Sequence, residues 1–155
     1  MNDPVMNAPV LTTPVLTDFP VQIPFLRDIG AEFSRMENGE SEITLLLGER
    51  HTNSWQVAHG GVVMTLLDVV MSMAARSLDP ESTGAITIDM NTSFMQPAGS
   101  PGKRIMARGK VTYRARSMSF CEGEVWDGDK LSARATGTFK LIRRLAAAKK
   151  LEHRD

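Results

Sequence analysis

Between residues 60 and 78 this 155-residue chain carries the segment that most restricts its fold. From Gly60 to Ala75 nearly every side chain is apolar. A helix apolar on all sides is normally wrapped by other elements. One carboxylate, Asp68, stands in the middle of it. A charge in such a place is costly unless it is paired, hydrogen-bonded or used. The pattern predicts a helix from about Gly60 to Leu78, stopping ahead of Pro80. Thr65, Asp68, Ser72 and Arg76 follow at spacings of three, four and four, so they share one face as a narrow polar stripe. Two readings stand. Asp68 is structural and bonds the hydroxyl of Thr65 or Ser72, or it acts on a ligand.

Gly60 and Gly61 open the helix. They bring bare backbone close to whatever lies there, either a strand packed tightly against the helix start or a ligand. The first turn of a helix also offers free N–H groups and a partial positive charge, which suit a developing oxyanion. Gly60 and Asp68 are eight residues apart, roughly 12 Å along the axis at about 1.5 Å per residue. A carbonyl held on the Gly60 N–H cannot also lie within about 3 Å of Asp68 on the same helix. If one reaction uses both, they come from two antiparallel copies. The active unit is then at least a dimer with two equivalent sites.

The rest of the chain reads as strands. Pro4, Pro9, Pro14 and Pro20 break up residues 1–20, which are expected to form a loose tail. Residues 21–30 read as a short helix with Pro24 in its first turn and Gly30 as its stop. Runs 31–38 and 41–49 meet at Asn38-Gly39, a strong hairpin signal. Residues 51–58 read as a polar loop. Strands are expected at about 84–95, 103–114, 117–126 and 131–142, and residues 143–155 as a basic helical tail. Two strands, one long helix and four strands, without βαβ alternation, predict an α+β domain over 21–142. In it a mostly antiparallel sheet of about six strands curls round the helix.

Composition narrows the function. Eighteen basic and 18 acidic residues balance, which points to neither nucleic acid nor an acidic membrane surface as partner. Cys121 is the only cysteine, and His51, His59 and His153 lack metal-ligand spacing, so neither a disulfide nor a metal is expected. No run reads as long enough to span a bilayer and no secretory signal is visible, which leads to the expectation of a soluble cytoplasmic protein.

The pattern Asn53, His59-Gly60-Gly61, Asp68 resembles the hotdog-fold acyl-CoA thioesterases, nearest to the phenylacetate-pathway and acyl-CoA thioesterase 13-like branch. Gly84-Ala85-Ile86-Thr87-Ile88-Asp89-Met90-Asn91, Phe94-Met95-Gln96-Pro97 and Ala135-Thr136-Gly137-Thr138-Phe139 extend the likeness over about residues 21–142. The resemblance implies a hotdog fold, a homodimer and often a homotetramer. It also implies hydrolysis of an acyl-CoA thioester to free acid and coenzyme A, without a further cofactor.

Carried over by position, Asp68 is the nucleophile or general base and the Gly60 N–H polarises the thioester carbonyl. Asn53 and His59 position water, substrate or loop, and Thr87 orients water. Gly61, Val62 and Pro97 fall on the substrate side. Arg116, Ser117 and Met118 would meet the nucleotide end of coenzyme A, although Ala115 stands where the family pattern has glycine. The same turn also reads as an edge made soluble by arginines. Lys103 and Arg104 form a second basic cluster. An acyl pocket is expected beside the helix, lined by Val62, Met64, Leu67, Met71 and Phe94. A non-catalytic acyl-CoA binder is the alternative, disfavoured by the cost of Asp68. A hotdog dehydratase is disfavoured by the lack of histidine on the helix body.

Overall fold

A computed structural model of the protein describes residues 22–79 and 83–143. The expected tails at 1–20 and 143–155 lie outside the described residues, apart from Arg143 itself. Helix α1 (Pro24–Ile29) starts on Pro24 and ends at Gly30, whose φ of 78° lets its N–H turn back to the Arg27 carbonyl. Strands β1 (Ala31–Glu37) and β2 (Glu40–Leu46) form a hairpin. Its two-residue turn, Asn38-Gly39, has φ of 52° and 79°, the left-handed pair that matches strand twist. A 3-10 turn (Glu49–His51) and a short loop lead into the long helix α2 (Gly60–Ser77). Four strands follow: β3 (Thr83–Phe94), β4 (Arg104–Arg114), β5 (Met118–Asp127) and β6 (Lys130–Arg143).

All six strands join one curved antiparallel sheet in the order β1-β2-β4-β5-β6-β3, with α2 across its concave face. This is the hotdog architecture. A Cβ at Gly109 would collide with the Val70 carbonyl of α2, so only glycine lets strand and helix approach this closely. Ser41 Oγ donates to the same carbonyl from β2. Leu66, Leu67, Val70 and Met71 are fully buried against Phe33, Ile43, Ile105, Val125 and Phe139. Each such side chain is worth about 1.5–3 kcal/mol of burial.

Three expectations need correction. The sheet covers only one side of α2, because a single six-stranded sheet curls past no more than half of a helix. Met64 is 40% exposed, and Val62, Thr65, Asp68, Val69 and Ser72 are half-buried along the open side. By length and composition α2 would also suffice to cross a bilayer, contrary to the expectation that no run is long enough. Half of it is buried inside its own domain, as in the core helix of a folded protein. The loop expected over 51–58 begins with His51 buried in the 3-10 turn rather than as a wholly polar, exposed segment.

Candidate active site

At the head of α2 every early amide but one is engaged. His59 caps the helix, its Nδ1 accepting the Gly61 N–H at 2.8 Å. Its carbonyl accepts the Val62 and Val63 N–H groups at 2.9 and 3.2 Å. Among the described residues the Gly60 N–H has no hydrogen-bond partner. It borders a cleft of about 500 Å³ whose walls are mostly apolar: Val57, Val63, Phe94, Met95, Pro97 and Ala133. The head of the helix, with its dipole and an unpaired donor, thus borders an apolar space, an arrangement suited to holding a carbonyl oxygen as it gains charge.

The scaffold of this end is a polar network. Asn53 Oδ1 accepts the Trp55 N–H at 2.9 Å and the Val57 N–H at 3.4 Å, so Asn53 fixes the loop that walls the cleft. His51, which sequence reasoning passed over as a site residue, is 4% exposed. Its Nδ1 accepts the Gly48 N–H, its Nε2 lies 2.7 Å from the Ile29 carbonyl, and its own carbonyl accepts the His59 N–H at 2.8 Å. It ties α1, the 3-10 turn and the cap of α2 together. No local pattern announces this, since two of these three partners are carbonyl or amide groups at distant positions.

Asp68 lies two turns further along. Thr87 Oγ1 donates to Asp68 Oδ1 at 2.6 Å. The Thr65 hydroxyl bonds the Gly61 carbonyl and the Ser72 hydroxyl bonds the Val69 carbonyl, so the expectation that Asp68 pairs with one of them is overturned. Serine and threonine in a helix satisfy themselves on the preceding turn. Thr87 reaches Asp68 beside a β-bulge: the register jumps from Thr87–Phe139 to Asp89–Thr138, and Ile88 is the extra residue. Among the described residues Thr87 is the one hydrogen-bond partner of Asp68, so Oδ2 is open. Neither Asp68 nor Thr87 lines the cleft at Gly60.

The remaining expected positions divide between the ends of the molecule. Gly61 is exposed with its N–H held by His59, Val62 is half-buried, and Pro97 lines the cleft. Arg116 and Ser117 are exposed in the β4–β5 turn, with Met118 half-buried as β5 begins. That turn lies at the C-terminal end of α2, where Arg114 donates to the Ala75 carbonyl, and so away from the Gly60 cleft. The second basic cluster is partly neutralised, since Arg104 pairs with Glu32 at 2.9 Å. The residues expected to line an acyl pocket do not lie together. Leu67 and Met71 face the sheet at 0% exposure and Met64 points outward, while Val63 and Phe94 line the cleft. Burial pushes the Cys121 thiol above its ordinary range despite nearby Ser119 and Arg114, which makes it a poor nucleophile.

Known proteins match this arrangement. The thioesterase superfamily model matches residues 56–133, the stretch that runs from the loop at the head of α2 into β6. A Saccharolobus solfataricus protein, whose name assigns it only provisionally to the esterases, is 32% identical over 124 residues that cover 74% of this chain and 75% of that one. Human acyl-coenzyme A thioesterase 13 is 32% identical over 94 residues, covering 61% of this chain and 60% of that protein. A phenylacetic acid degradation protein of Thermus thermophilus, solved as a mutant, superposes with a TM-score of 0.69 at 25% identity, over 76% of this chain and 98% of that one. Fold, matched segment and relatives agree, and the chain belongs to the thioesterase superfamily.

Proposed function

We propose that the protein hydrolyses acyl-CoA thioesters at two equivalent sites, each shared between the subunits of a dimer. The observation that carries this reading is the pair of half-sites on one helix: an unpaired Gly60 N–H beside an apolar cleft, and a carboxylate oriented by Thr87 two turns away. The edges of the sheet say where a second copy would add. Strand β1 is short, bulged between Phe33 and Arg35, and guarded by Arg35 paired with Glu37 and Glu40. Such an edge resists pairing. Strand β3 is 12 residues long and, among the described residues, pairs with β6 alone. Its Ile86 and Ile88 are 49% and 53% exposed, apolar surface along the edge that a second copy would meet. A twofold copy joined antiparallel at β3 would bring the head of each α2 towards the Asp68 half of the other.

In that assembly the thioester oxygen accepts the Gly60 N–H of one subunit. Asp68 of the other subunit takes a proton from water as that water attacks the carbonyl carbon, or attacks the carbon itself to give an anhydride that water then opens. In both routes the C–S bond breaks, the acid leaves with the water oxygen, and a proton restores the coenzyme A thiol. The Thr87 hydroxyl holds Asp68 in one rotamer throughout. Exposed Arg116 suits the phosphates at the nucleotide end.

Release of free thiol from a panel of acyl-CoA thioesters is the direct test. Turnover with acyl-CoA, weaker with the same acyl group on a thiol lacking the nucleotide, is the expected result. No release above the buffer rate for acetyl, medium-chain, long-chain and arylacetyl thioesters would contradict the reading.

A further inference from the structure

Trp55 is 83% exposed, more than any other large apolar side chain among the described residues. Its backbone, by contrast, is tightly held. Asn53 accepts the Trp55 N–H, Asn53 and Val57 bond through their backbones, and Thr52 bridges Ala58. The next residue, Gln56, adopts φ of 58°, a left-handed conformation that costs a non-glycine residue about 1–2 kcal/mol. A strained, well-bonded turn therefore presents an indole to water, where its apolar face gains nothing. The indole stands at the border of the cleft that holds the Gly60 N–H. Phe94 and Met95, 52% and 50% exposed, flank the same opening.

We propose that Trp55 determines acyl specificity by folding its indole over this cleft onto an extended apolar acyl chain whose carbonyl sits on the Gly60 N–H. The proposal rests on the thioesterase reading above. It assigns the cleft to the acyl half of the substrate, because its walls are apolar. Closure needs only rotation about the side-chain bonds of Trp55, since its backbone is fixed. Acyl groups long enough to touch the indole gain from closure, and an acetyl group does not reach it.

The protein has two tryptophans, and Trp126 is 5% exposed with its indole N–H on Glu124, so a change in emission on binding reports Trp55. S-(2-oxododecyl) coenzyme A, a thioether that keeps the carbonyl but cannot be hydrolysed, is expected to shift the emission to the blue and protect it from iodide. S-(2-oxopropyl) coenzyme A is expected to do neither. Trp55→Phe should abolish the shift. Trp55→Ala should lower the ratio of kcat/KM for lauroyl-CoA over acetyl-CoA about tenfold, in line with the loss of an aromatic contact. An unmoved emission with the oxododecyl thioether, an unchanged chain-length ratio in Trp55→Ala, or an indole already shielded from iodide in the free protein would overturn the proposal. A blue shift without any thiol release would uphold the Trp55 assignment and overturn hydrolysis.

Discussion

The head and the middle of helix α2 are built in different ways. Its head is a rigid polar frame in which His51, Asn53 and His59 engage the loop and cap amides and leave the Gly60 N–H over an apolar cleft. Its middle carries a half-buried carboxylate held by one hydroxyl from a bulged edge strand, with an exposed arginine turn beyond. On the proposed reading the head holds an acyl carbonyl and lacks a base, while the middle has a base and lacks an acyl cleft. Eight residues of continuous helix, roughly 12 Å, keep them from meeting in one chain. On that proposed reading these are two complementary halves, and the open edge at β3 is where a second copy would complete them.

The largest effect is expected at the base. Asp68→Asn keeps the shape and the Thr87 contact but removes the negative charge. It should lower kcat roughly 10³-fold, with the far-UV spectrum and the oligomeric mass unchanged. Full activity in this variant would leave the middle of the helix with no chemical part.

The head can be tested by deleting its one unpaired amide. Gly60→Pro removes that N–H at the first helical position, where proline is tolerated. His59, with φ of −60° and ψ of 139°, already has the extended backbone that a following proline requires. A Cβ at Gly60 meets Phe94 no closer than 3.6 Å. Thiol release should fall about 10²–10³-fold while helix content is retained. A loss of helix content instead would mean that the position serves packing alone.

A smaller effect is expected where the two regions are tuned rather than built. Thr87→Val removes the donor to Asp68 and keeps the shape. Loss of one hydrogen bond to a charged group should cost about tenfold in kcat with little change in KM. A larger change in KM than in kcat would place Thr87 in substrate binding.

The groups expected to act, Asp68 and the glycines at the head, are legible in the amino-acid sequence, and the groups that hold them are less so. Asp68 stands out because it interrupts an apolar helical run, and Asn38-Gly39 announces its hairpin through backbone conformation alone. These signals are local. The Thr87–Asp68 bond joins positions 19 apart through a bulge. Composition does not reveal it, and Thr87 was reached by family resemblance. His51 was missed because the Ile29 carbonyl and the His59 amide that it engages come to it only through the fold. The cleft differs in phase from the pocket that the sequence predicts. Leu67 and Met71 look as available as Val63 on a helix apolar all round, and only the close seat of α2 on Gly109 and its neighbours decides which side faces the sheet.

The most direct test is complementation between the head and the middle. Asp68→Asn and Gly60→Pro subunits, co-expressed with different tags and purified through both, form dimers containing one of each. If each site takes its amide from one subunit and its carboxylate from the other, one of the two sites in such a dimer is intact, and it should recover about half of wild-type turnover. Activity no higher than that of either parent variant would contradict the shared site.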